Sequence, residues 1–134
     1  MVLSSIKRNN PGNIEKGPKF QGQAAVQDSS RFIVFESPEY GIRALCKLLM
    51  TYKKKYNADT IREVIERYAP RSENKTDAYI KNVSLWSGLD PDDEFNAYEP
   101  GVLQKLVPAI IRQEVGYQPY SAETITKGIH LAIA

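Results

Sequence analysis

The chain has only one cysteine, Cys46, and one histidine, His130, among 134 residues. A single thiol excludes an internal disulfide and a cysteine-rich zinc site. A single imidazole excludes a two-histidine metal centre and makes a Ser/His or Cys/His triad hard to build. Cys46 falls between Leu45 and Leu48 on an apolar helical face, where burial is expected, and His130 reads as a structural or surface residue of the last helix. No metal and no cofactor are expected. An excess of one charge is also missing: Lys and Arg number 18 against 16 Asp and Glu, so a net charge of +2 leaves no footprint for nucleic acid. The short run Lys53-Lys54-Lys55 reads as the solvated face of a helix, with an anionic polymer as its other conceivable partner. No stretch approaches the roughly 20 apolar residues of a membrane span, and no apolar signal core opens the chain. The expectation is a protein made in a cytoplasm and carried to its place of action by something else.

What is present suits one domain, 1-134. An apolar share of 42% against a charged share of 25% is that of an ordinary globular chain, which should fold alone. The stretch "RNNPGNI", Arg8 to Ile14, combines residues that tolerate left-handed backbone with a proline that restricts its own φ and its predecessor, so it specifies a turn. Two strand-like runs follow, near Gln23 to Gln27 and Arg31 to Phe35, separated by Asp28-Ser29-Ser30, and predict a small antiparallel hairpin.

Helices dominate the remainder. Ser37-Pro38-Glu39 opens the first, which runs to about Asn57 with Ile42, Leu45, Leu48, Leu49, Tyr52 and Tyr56 at helical spacing. The second spans Thr60 to Tyr68 and stops at Ala69-Pro70. Thr76 reads as the cap of a third, ending near Ser87 at Gly88, with Tyr79, Ile80, Val83, Leu85 and Trp86 for burial. Pro100 opens a fourth that stops at Gly116, with a kink or break expected at Pro108. Ser121 caps the last, Ala122 to about Ile133. The acidic loop "LDPDDEFNAYEP" lacks the spacing of a calcium-binding EF-hand, so its acids read as capping and solubilising groups. The fold class is therefore α+β, mainly α-helical.

The chemistry is most legible in "AIIRQEVGYQPYS", Ala109 to Ser121. Glu114 stands at the C-terminal end of an apolar helix, where the negative end of the dipole and partial desolvation favour a protonated carboxyl. Such a group can protonate a glycosidic oxygen, and Tyr40, Tyr117 and Tyr120 offer ring faces to sugars. The plain alternative is a surface glutamate beside Arg112 and Lys105. A second carboxylate, if one takes part, is sought in Glu36, Glu39 or Asp28, although Glu39 also reads as a helix N-terminal acid and Glu36 as a rim residue. The amides of Asn9, Asn10 and Asn13 either satisfy the turn backbone or face a cleft and recognise N-acetyl groups.

"RNNPGNI", followed by a loop and "FIVFESPEYGIRALCKLLMTY", resembles the core of lysozyme-like peptidoglycan glycosidases and lytic transglycosylases. Over nearly its full length the chain also resembles small phage-encoded proteins described as structural or virion proteins, through Asn-Asn-Pro-Gly-Asn-Ile, Ser-Pro-Glu-x-Gly-Ile-Arg-Ala, a Ser-Glu-Asn-x-Thr loop and Ile-Ile-Arg-x-Glu-x-Gly. In lysozyme-like enzymes the helix ending in the catalytic Glu precedes the Asn and Gly turn, whereas Glu114 to Gly116 follows it here, so the resemblance implies a circularly permuted lysozyme-like domain. It implies cleavage of peptidoglycan glycan strands, as a muramidase, glucosaminidase or lytic transglycosylase with Glu114 as general acid. A protein of this kind is made in a bacterial cytoplasm and acts at the cell wall after release or within a virion, with peptidoglycan and other virion proteins as partners. The alternative is a non-enzymatic virion structural or assembly protein.

Overall fold

The computed structural model describes residues 4–69 and 73–134. These residues form six helices: α1 Ser4–Lys7, α2 Pro38–Tyr56, α3 Ile61–Tyr68, α4 Glu73–Ser87, α5 Pro100–Val115 and α6 Ala122–Ile133. Side-chain caps start three of them. The Ser37 hydroxyl accepts the Tyr40 N–H at 3.4 Å, Thr60 accepts the Glu63 N–H at 3.1 Å, and Ser121 accepts the Thr124 N–H at 3.2 Å. Asn57, with φ 52°, closes α2 in the left-handed conformation.

The apolar face of α2 runs through the centre of the core and packs chiefly on α6, while α4 lies on α5 and α3 on α4. Gly128 sets the closeness of the first pair. A methyl group there would stand 2.5 Å from Cγ2 of Ile42 and 3.0 Å from the Glu39 carbonyl oxygen, so only glycine lets α6 settle at this distance. On α5, Leu103, Leu106, Val107, Ile110 and Ile111 are fully buried. The helix continues through Pro108 without the break the proline suggests, because this continuous buried face offsets one lost hydrogen bond.

Several expectations are corrected. Instead of a hairpin of paired strands, the described residues hold two isolated antiparallel bridges, Glu15 with Phe32 and Gln23 with Phe35. The Gln27 side chain explains where the ladder goes: its carbonyl accepts the Val34 N–H at 2.8 Å and its amide donates to Val34 O at 3.0 Å. Thr76 lies inside α4 rather than at its cap, and its hydroxyl donates to Ala69 O at 2.8 Å. The segment read as a Ser-Glu-Asn-x-Thr loop is thus helical from Glu73, while Pro70 and Ser72 fall outside the described residues. Leu85 is 73% exposed, so α4 buries Tyr79, Ile80 and Val83 without it. The short helix α1 has no forerunner in the sequence reading. Cys46 is buried and His130 exposed, as read. Among the described residues no helix is long and apolar enough to cross a membrane.

Candidate functional site

The turn from Arg8 to Ile14 is held from several sides. Asn9 and Asn13 take φ of 53° and 50°, the left-handed conformation that asparagine tolerates better than most residues. Asn9 donates through Nδ2 to Phe35 O at 3.0 Å. Asn10 is 1% exposed and works entirely inward: Oδ1 accepts the Ile14 N–H at 2.9 Å, while Nδ2 donates to Ile14 O and Ile33 O, each at 2.9 Å. From α3, the Tyr68 hydroxyl donates to the Gly12 carbonyl. Ile14 then points into the core. The left-handed backbone at Asn13 and the turn that follows leave Asn13 and Glu15 on the open side.

They face a cleft of about 900 Å³ between this turn and the helices. Leu48 and Tyr52 of α2, Arg67 and Tyr68 of α3, Lys75 and Tyr79 of α4, and Gln113 and Glu114 of α5 complete the lining, with Arg31 and Phe32 beside Glu15. Glu114 occupies the last turn of α5, and its Oε1 accepts a hydrogen bond from Asn13 Nδ2 at 3.2 Å. Glu15 is ion-paired with Arg31, whose guanidinium lies 4.8 Å from the centroid of the Phe32 ring.

Two phenols stand next to the acid. Tyr68 and Tyr79 meet edge to face with centroids 6.3 Å apart. Burial, followed by the charge of Glu114, pushes the Tyr68 phenol well above its usual range. Burial, then Tyr68, then Glu114, does the same for Tyr79. Both therefore remain neutral hydrogen-bond donors. Tyr68 spends its proton on Gly12. The Tyr79 hydroxyl is buried and makes no hydrogen bond of standard geometry, although it lies close enough to Glu114 to feel its pull. The cleft thus presents an ionisable carboxyl backed by a buried phenol, an amide and an aromatic wall. Together these can hold a polar, uncharged ligand and move a proton at one of its oxygens. Among the described residues no group of three or more His, Cys, Asp or Glu is placed to hold a metal ion.

Of the residues singled out in the sequence, Glu114 and Asn13 meet here and the others lie elsewhere. Asn9 and Asn10 are turned onto backbone groups. Glu36 is exposed and Glu39 sits in the first turn of α2, neither of them lining the cleft. Asp28 pairs with Arg8 at 3.0 Å. The Tyr40 ring lies against Gly22, Tyr117 is 54% exposed, and Tyr120 packs at the core edge with its hydroxyl buried. The aromatic surface comes instead from Tyr52, Tyr68 and Tyr79, and the second carboxylate in the cleft is Glu15. The sequence marks Glu15 only by its place, a carboxylate directly after the Asn-rich turn.

These features define a small helical domain built around a carboxylate-bearing cleft. No family model matches the chain. Protein P5 of Pseudoalteromonas phage PM2 is 32% identical over 127 residues, covering 92% of this chain and 78% of that protein. The chain belongs to the family of this phage protein.

Proposed function

We propose that the protein is a phage-associated enzyme that cleaves the glycan strands of peptidoglycan, on a circularly permuted lysozyme-like domain. The observation that carries this reading is Glu114 at a helix end, bonded to Asn13 across a sugar-sized cleft walled by tyrosines. Glu114 protonates the leaving glycosidic oxygen. Asn13 orients the carboxyl from the cleft side, and the buried Tyr79 hydroxyl supports it from the core side. Glu15, fixed by Arg31, is the carboxylate available to support hydrolysis through a bound water or a covalent intermediate. Without its participation, the sugar's own N-acetyl group or hydroxyl completes the reaction, and the hydroxyl route leaves an anhydro end.

Membership of a phage protein family supports the phage context and is equally compatible with a non-enzymatic virion role. The two are separated by digesting chemically defined peptidoglycan with wild type and Glu114→Gln and analysing the products by mass spectrometry. Anhydro-ended muropeptides that vanish in the variant identify a transglycosylase; new reducing ends that vanish identify a hydrolase and locate the bond. No products from either protein, across several wall types, would leave the virion structural role as the function.

A further inference from the structure

We propose that the α3 side of the cleft is a carboxylate-binding subsite centred on Arg67, which reads the acidic peptide stem carried by a peptidoglycan strand; this rests on the glycan-cleavage reading above. The N-acetylated sugar backbone is uncharged, so a cation in the wall of a sugar cleft has no counterpart on the backbone itself. The substituent that does carry negative charge is the peptide stem, through its free carboxylates.

Arg67 is the cation placed to meet it. It stands in the last turn of α3, where a positive charge is favoured by the helix dipole, and it lines the cleft. Its guanidinium lies 3.4 Å from the centroid of the Tyr56 ring, and its charge acts on the phenol of Tyr52, another lining residue. Arg8, Arg31 and Arg62 are neutralised by Asp28, Glu15 and Asp92, whereas Arg43 and Arg112, the latter over the Trp86 ring, are outside the cleft lining. Among the described residues Arg67 has no such pair. Stacking on an aromatic face fixes the plane of a guanidinium while leaving its N–H edge outward, the arrangement that binds a carboxylate through two parallel hydrogen bonds. The tyrosine seat also reduces the side-chain freedom that binding would otherwise cost.

The experiment compares glycan strands of equal length in three forms: bearing peptide stems with free carboxylates, bearing stems whose carboxylates are amidated, and stripped of stems by an amidase with the lactyl carboxylates this exposes then amidated. Cleavage by wild type, Arg67→Ala and Arg67→Lys is measured at low and moderate salt, and binding of each strand is titrated with the Glu114→Gln protein. Wild type should favour the free-carboxylate strand over both others by about fivefold, in KM rather than kcat, because the contact is solvent-exposed and salt-screened. Arg67→Ala should lower kcat/KM on that strand to the level of the amidated one, and Arg67→Lys should keep part of the preference while losing its bidentate share. An equal rate of wild type on all three strands, or an undiminished preference in Arg67→Ala, overturns the subsite and leaves glycan cleavage standing. Failure of wild type to cut any strand, together with failure of Glu114→Gln to bind any, overturns both. A role for Arg67 confined to stabilising the Tyr56 contact would shift the melting temperature of Arg67→Ala without moving its discrimination among strands.

Discussion

A methyl group added to Gly41 would stand 1.8 Å from the carbonyl oxygen of Asn9 and 3.1 Å from Cδ of Pro11. The turn that carries Asn13 into the cleft is therefore seated directly on the first turns of α2, with no room for a side chain between them. Gly41→Ala should destabilise the fold by about 3 kcal/mol, because the obstructing atom belongs to backbone that cannot rotate away. Thermal unfolding should register this as a melting point lower by about 10 °C. A melting temperature within two or three degrees of wild type would mean that the turn can lift off α2 cheaply.

Asn10 and Asn13 are three positions apart in one turn and should answer mutation oppositely. Asn10→Ala leaves the buried Ile14 N–H and the Ile33 carbonyl without their partner, while Ile14 O keeps the Ile33 N–H, at a cost of about 3 kcal/mol. Asn13→Gly keeps the left-handed backbone comfortable and removes only the amide that meets Glu114. Its stability should change by less than about 1 kcal/mol while glycan cleavage falls at least tenfold, measured as kcat/KM beside chemical denaturation of the same samples. The opposite pattern, with Asn13→Gly unfolded or Asn10→Ala intact, would contradict the division of labour.

Tyr79→Phe should separate stability from ligand binding. The substitution deletes a buried hydroxyl whose one polar neighbour is the Glu114 carboxyl, at less than standard hydrogen-bond geometry, so stability should change by less than about 1 kcal/mol. If that hydroxyl holds the Glu114 carboxyl in place for a bound sugar, the same variant should bind glycan oligomers several-fold more weakly in calorimetric titration. Unchanged affinity would assign the hydroxyl to neither fold nor ligand.

Alkaline pH should weaken the fold in a window that Cys46 opens. Burial pushes its thiol from 9.0 up to about 12, so between these values the unfolded chain has released a proton that the folded protein still holds. The folded form binds more protons there, and stability falls as pH rises, by about 1.4 kcal/mol per pH unit for this group. Below pH 9 the contribution is fully present. Melting curves at pH 8, 9, 10 and 11 should show the decline starting near 9 in wild type and near 10 in Cys46→Ala, where the raised phenols of Tyr68 and Tyr79 take over. Identical profiles for the two proteins would remove Cys46 as the cause.

The helices were legible because their signals are local. Ser37 followed by Pro38, Thr60 before Ile61 and Ser121 before Ala122 are caps that act within one turn, and apolar spacing marks which face turns inward. The same spacing does not tell an inward residue that seals the core from one that lines an opening. For that reason Tyr52, Tyr68 and Tyr79 read as core from sequence, while Tyr40 at the start of α2 and the loop tyrosines Tyr117 and Tyr120 lie away from the cleft. Strand pairing was misjudged between Gln23 and Phe35 because one glutamine side chain, Gln27, occupies hydrogen-bonding groups that a neighbouring strand would otherwise use. Thr76 was misplaced because its hydroxyl serves Ala69, the residue that follows α3, and not the start of its own helix. No local signal marks the pairing of the Asn-rich turn with the Glu114 helix end, because 101 positions separate Asn13 from Glu114, and Glu15 carries none beyond following that turn directly.

The contact between Asn13 and Glu114 closes a loop of 101 positions. Contacts of such span form late, because closure entropy must be met before they contribute any stabilisation. A growing chain that has emerged only as far as α4 already contains the turn, Glu15 and the cleft tyrosines, yet not Glu114. Docking of α5 supplies that acid as the core closes, so maturation of the cleft coincides with completion of the fold. If the protein attacks the wall of the cell that makes it, its partly synthesised forms are chemically silent. The timing of any damage is then set by folding and release rather than by translation.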